Sequence, residues 1–144
     1  QPCSSAASDV YKRQINDHMH YFKDKSFDYV ILAQSLQVVD NPVSLIKEML
    51  RIGNEVIISF PNMGYWRSRL YLFFRGEMPV TSELPFSWHS TPNIHLCTIR
   101  DFKKMCMSNN FQITEEVINN VNGKNISSSL LNNLIGTSAI FRIK

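Results

Sequence analysis

Glycine is scarce in this chain: there are five in 144 residues, and no two of them stand at G-x-G spacing. That excludes, within this sequence, the glycine-rich turn that lets a backbone approach a cofactor at a helix N-terminus. Cysteine is scarcer. Cys3, Cys97 and Cys106 are irregularly placed and form no Cys-x-x-Cys pair, which argues against a disulfide framework and fits a reducing, cytoplasmic setting. No apolar run approaches the roughly 20 residues of a membrane helix; LYLFF at 70–74 is among the longest, and no membrane partner is expected. Charge of one sign is lacking too, with 15 basic and 12 acidic residues giving a formal +3. The basic residues are scattered, so no nucleic-acid partner is expected. His95 has no cysteine or carboxylate at ligand spacing, which disfavours a metal site. No nucleophile, base and orienting group occur as a set, and no catalytic residue is named.

What remains is a composition with 44% hydrophobic and 19% charged residues, enough for one compact domain with a core. The opening stretch, QPCSSAASDVYKRQ, is small, polar and without apolar period, and it lacks the apolar centre of a signal peptide. Residues 1–13 are therefore expected to be a non-native or disordered tail, with the folded domain over 14–144.

Within that domain FDYVILA at 27–33 reads as a buried strand of a parallel sheet. Asn41 and Pro42 suit the start of a helix carrying Leu45, Ile46, Met49 and Leu50, with Gly53 as a left-handed C-terminal residue. EVIISF at 55–60 follows as a strand, completing a βαβ unit of α/β architecture. A second helix over roughly 64–74 has Trp66, Leu70, Phe73 and Phe74, with Arg67, Arg69 and Arg75 interspersed. Its aromatic residues read most simply as core and its arginines as a solvated face that could meet an acidic partner. From 76 to 96 no regular period appears, although the aromatic content argues for order. Thr98 and Asp101 form a capping signature before an apolar face of Ile99, Phe102, Met105 and Cys106. FQITEEVI at 111–118 and TSAIFRI at 137–143 read as the last strands, with SLLNNLI a short helix between them, and suggest an antiparallel edge on an otherwise parallel sheet.

Three segments carry a sharper signal: FDYVILAQSLQVVDNP at 27–42, VIISFPNMGYWRSRL at 56–70, and RGEMPVTSELPFSWHSTPNIHLCTIRDF at 75–102. Across nearly all of residues 15–118 the chain resembles the MetW family. The resemblance implies a Rossmann-like class I methyltransferase fold, seen in part, its first strands and glycine-rich turn missing and its mostly parallel sheet closed by an antiparallel last strand. It also implies S-adenosylmethionine as the cofactor of the full-length family member and a role in methionine biosynthesis as an accessory partner of homoserine O-acetyltransferase. A methyltransferase acting on a small molecule is the alternative, because methyl transfer needs mainly in-line positioning of the acceptor. The sequence departs from the family where an aspartate normally stands at the position of Gln14, so the natural gene is expected to be longer.

On the same resemblance Ile15 and Asn16 flank the cofactor's adenine ring, against the plain alternative of an exposed loop. Gln34, Ser35 and Leu36 leave the carboxyl end of the first strand, where ligands sit in open parallel sheets, and are candidate cofactor contacts; Gln37 is a weaker case. Asn62, Arg69, Trp88 and His95 are candidates for the substrate or partner side. Proline at 61 could simply end a strand, and His95 could simply bond the turn before the capped helix.

Overall fold

A computed structural model of the chain describes residues 19–81, 85–91, 93–126 and 131–144. The expected tail at 1–13, and Ile15 and Asn16 with it, lie outside the described residues. The order is β1 (Phe27–Ala33), a 3-10 turn at Leu36–Val38, α1 (Pro42–Ile52), β2 (Gly53–Pro61), α2 (Trp66–Arg75), α3 (Ile99–Ser108), β3 (Ile113–Asn119), α4 (Asn132–Ile135) and β4 (Ser138–Ile143).

Local chemistry sets most of these boundaries. Asn41 accepts a hydrogen bond from the Ser44 backbone N–H at 3.0 Å and Pro42 opens α1. Thr98 and Asp101 close a full capping box on α3. Gly76, at φ 66, takes the left-handed position after α2, where its N–H bonds Leu72 O. Gly53 departs from the expected left-handed C-terminus: it is extended, with φ −114, and begins β2 directly. What it supplies is space, since a Cβ there would lie 2.5 Å from the Val30 side chain.

The strands form one sheet in the order β1-β2-β4-β3. β1 and β2 pair in parallel; β4 runs the other way and pairs antiparallel with both β2 and β3. Three strands thus share a direction, as expected, but two of the three ladders are antiparallel, and the reversed strand lies inside the sheet with β3 outside it. The late strands therefore do not make an antiparallel edge in the simple sense.

One face of the sheet packs the core. Val56, Ile58 and Phe60 of β2 and Ala139, Phe141 and Ile143 of β4 are buried with Leu45, Ile46 and Met49 of α1 and Phe102 and Cys106 of α3. Phe60, Phe102 and Phe141 meet with ring centroids 4.7–5.9 Å apart, each such pair adding about 1 kcal/mol beyond area burial. The opposite face is barer. β1 was expected to be buried, yet Phe27, Tyr29 and Ile31 are 40%, 54% and 67% exposed. Only alternate residues of β1 turn to the helices, because successive strand side chains point to opposite faces. On this second face Arg142 of β4 reaches Glu115 at 3.1 Å and Glu55 at 3.6 Å, a charge cluster across three strands.

The aromatic residues of α2 also depart from expectation. Phe73 and Phe74 are 80% and 76% exposed, and Ser68 is the buried residue of this helix. Among the described residues no helix is long and apolar enough to cross a membrane.

Candidate functional site

The carboxyl ends of β1 and β2 lie side by side, because the parallel register carries Ala33 opposite Ser59. This end of an open α/β sheet is where backbone groups run out of ladder partners and ligands enter. Gln34 turns out of β1 in the left-handed region, φ 50, and its N–H bonds both Ser59 O at 2.9 Å and Ser59 Oγ at 3.2 Å. A residue other than glycine in that region is uncommon and costs strain, held here by the bonds to β2. Ser35 Oγ donates back to Ala33 O at 2.9 Å. The Gln34 side chain is exposed, Ser35 is half-buried and Leu36 is buried in the core.

Of the three residues expected to face a cofactor here, Gln34 is exposed at the rim, Ser35 spends its hydroxyl on Ala33 O, and Leu36 belongs to the core. The sequence has no glycine-rich turn, and among the described residues only the exposed Gln34 side chain at this rim is placed to meet an S-adenosylmethionine. When bound, that cofactor supplies an electrophilic methyl group.

Gln37 and Asn62, both buried, organise what stands next to this rim. Gln37 Nε2 donates to Pro61 O at 3.3 Å, and Gln37 O accepts from Ile94 N–H at 2.8 Å and His95 N–H at 3.0 Å. The irregular segment is thereby tied down across the ends of both parallel strands. His95 Nε2 lies 3.3 Å from Asp40 O, which precedes α1 and is not part of the turn before the Thr98-capped helix. Met63 N–H donates to Cys97 O at 3.1 Å and completes the clamp.

The Asn62 carboxamide is used on every side. Its Nδ2 donates to Asn133 O at 3.1 Å and Gly136 O at 2.8 Å, and its Oδ1 accepts from Gly64 N–H at 2.9 Å and Ile99 N–H at 3.2 Å. Gly64 is glycine because a Cβ there would come within 2.9 Å of Asn62 Oδ1 and 2.8 Å of Asn133 Oδ1. Asn62 therefore joins β2, α3 and the α4 turn. Sequence reasoning placed it at the right edge of the sheet and did not identify this joining role, whose partners Asn133 and Gly136 are more than 70 residues away.

Arg69 and Trp88 lie elsewhere. Arg69 Nε donates to Gly64 O at 2.7 Å, so the side chain fastens the start of α2. Trp88 is 76% exposed, its ring edge-on to His89 with centroids 5.6 Å apart. It lines a cavity of about 150 Å³ together with Met63, Met78 and Phe86. The site residues are thus not brought into one pocket: Gln34, Ser35, Asn62 and His95 share the sheet edge, and Trp88 and Arg69 flank it.

Burial pushes the Cys97 thiol up to about 11, against a smaller lowering by its hydrogen bond to Gln37, and burial pushes Cys106 up to about 11 as well. Both are protonated at neutral pH, a condition for packing and not for nucleophilic attack. Among the described residues no group of three or more His, Cys, Asp or Glu is placed to hold a metal.

Comparison with known proteins adds an independent line. The family model described as methionine biosynthesis protein MetW matches residues 1–143. A curated relative from Rhodopirellula baltica, described as bifunctional methionine biosynthesis protein MetXA/MetW, is 43% identical over 110 residues; the match covers 76% of this chain and 18% of that protein. Among solved structures, a SAM-dependent methyltransferase from Thermotoga maritima, described as a possible histamine N-methyltransferase, aligns with TM-score 0.53 at 18% identity, covering 85% of this chain and 57% of the other. A SAM-dependent methyltransferase from Archaeoglobus fulgidus aligns with TM-score 0.54 at 11% identity, covering 90% and 64%. These structural likenesses show the methyltransferase fold.

Proposed function

The chain belongs to the MetW family of methionine biosynthesis proteins, and from that premise we propose that it acts as a methyltransferase-fold accessory partner of homoserine O-acetyltransferase. The observation that carries the reading is the relative whose name joins MetXA and MetW, 43% identical to this chain. One polypeptide holding both units keeps them at high effective concentration, an arrangement that favours units that work in contact. The geometry is in keeping with an accessory role. Asn62, expected on the substrate or partner side, spends its whole carboxamide on the chain itself, His95 Nε2 and Arg69 Nε each meet a backbone carbonyl, and both described thiols are protonated. S-adenosylmethionine is the cofactor the fold implies, and Gln34 is the residue that would meet it.

The test is kinetic. Acetyl transfer to homoserine is measured with the acetyltransferase alone, with this chain added, and with S-adenosylmethionine added to both. The account expects the chain to change the rate by about fivefold or more, the lower end of ordinary coupling between sites. An unchanged rate contradicts it.

A second reading, a small-molecule methyltransferase, is favoured by the apolar cavity of about 150 Å³ beside Met63, which would suit a compact apolar acceptor. Methyl transfer from labelled S-adenosylmethionine to such an acceptor, with no effect on acetylation, would replace the first reading by this one.

A further inference from the structure

Helix α2 turns its largest apolar side chains away from the core. Trp66, Leu70 and Phe74 recur at four-residue spacing, and Arg67, Tyr71 and Arg75 form the neighbouring row, so an apolar stripe and a cationic stripe run side by side. Both rows line one open groove of about 550 Å³, whose far wall is built by residues 79–81 and Val121. Leaving a row of this kind in water forfeits burial that the same residues would gain against a partner.

The charges sharpen the point. The Arg67 guanidinium lies 5.7 Å from the centroid of the Trp66 ring and that of Arg75 lies 5.4 Å from the centroid of Tyr71, so an aromatic ring positions each cation. Among the described residues neither has a carboxylate partner, whereas Arg51 and Arg142 each pair with two. Arg67 and Arg75 are eight residues apart, about 12 Å along the helix axis. A compact small anion cannot meet both. An extended polypeptide with two acidic residues about four positions apart spans that distance, and the apolar side chains between them would lie against Leu70 and Phe74.

We propose that the α2 groove receives an acidic, apolar segment of the acetyltransferase. This rests on the partnership proposed above and adds to it the surface and the chemistry of the contact. Arginine and aromatic side chains clustered in this way are the groups that most often dominate interface energetics. The complementary charges would steer the encounter and set the register, and the apolar row would set the lifetime.

The experiment uses the full chain and purified homoserine O-acetyltransferase in isothermal titration calorimetry. The double reversal Arg67→Glu/Arg75→Glu is expected to weaken binding at least tenfold, with the neutral pair Arg67→Gln/Arg75→Gln falling between it and the wild type. Both variants change exposed side chains, and circular dichroism checks that each keeps its fold. A photo-crosslinking residue in place of Phe74 is expected to join a segment of the acetyltransferase in which acidic residues bracket apolar ones. Lysines in place of those acids should then restore binding to the double reversal. Wild-type complex formation with both arginine variants binding within twofold of it overturns this inference and leaves the partnership standing. A cross-link into a segment without acidic residues also overturns it. Absence of any wild-type complex removes the partnership and this inference together.

Discussion

Replacing Asn62 by alanine removes four hydrogen bonds at once, and the consequence can be worked out from their geometry. The carboxamide is buried, and its partners are Asn133 O, Gly136 O, Gly64 N–H and Ile99 N–H, at 2.8–3.2 Å. At about 1 kcal/mol for each bond, and with buried groups left without partners, the loss should be about 3–4 kcal/mol. For a domain of this size that corresponds to a fall in Tm of about 10 °C. Asn62→Asp separates the two halves of the network: it keeps an acceptor for the N–H groups of Gly64 and Ile99 and sets a carboxylate against two carbonyl oxygens. It should therefore also destabilise, by an amount that lessens as the carboxyl is protonated at low pH. Urea and thermal unfolding followed by circular dichroism measure both variants. A loss below about 1 kcal/mol for Asn62→Ala would refute the reasoning, since it would mean that the freed backbone groups find other partners.

Other consequences are more local. Trp88→Ala removes a ring that is 76% exposed and should change stability by no more than about 0.5 kcal/mol, read by the same unfolding curves. Arg69→Ala breaks the 2.7 Å bond to Gly64 O and should cost about 1 kcal/mol; an unchanged Tm would show that the bond does not hold the start of α2. The raised thiols give a pH dependence with a definite sign. Cys97 and Cys106 titrate near 11 in the folded chain against an ordinary 9.0, so their contribution is complete below pH 9, where both states are protonated, and is lost as pH rises toward 11. The double variant Cys97→Ala/Cys106→Ala should show a flatter decline over that window, and equal slopes in wild type and variant would contradict the assignment. Finally, since the sequence has no glycine-rich turn, calorimetry should find S-adenosylmethionine binding no tighter than about 1 mM; micromolar binding would show that the rim at Gln34 needs no glycine-rich turn.

Much of the architecture could be read from residue patterns because the signals were local. Asn41-Pro42 and Thr98 with Asp101 are caps whose partners lie within four residues, and both form as read. The strand at Glu55–Phe60 and the strand before Ile143 have apolar residues at alternate positions, and both lie in the one sheet. The failures came where the answer depended on tertiary neighbours. The run FDYVILA carries no mark distinguishing a strand covered on both faces from one covered on a single face, and the Phe73-Phe74 pair carries none distinguishing core from surface. The same limit applies to the candidate site. Gln34 and Ser35 follow the end of β1 where the residue pattern put them, because the end of a strand is a local property. The roles of Gln37 and Asn62 depend on carbonyls 24 and 71–74 residues away, which no short spacing encodes. The groove of α2 escaped for a related reason, since helical spacing groups Arg67 with Arg75 but says nothing of the wall at 79–81.

The central claim is physical association, and sedimentation velocity of the wild-type chain mixed with homoserine O-acetyltransferase tests it most directly. The account predicts a faster-sedimenting boundary that contains both proteins at micromolar concentration, with its proportion rising by mass action as either protein is added. Two boundaries that sediment independently across the whole concentration range would contradict it.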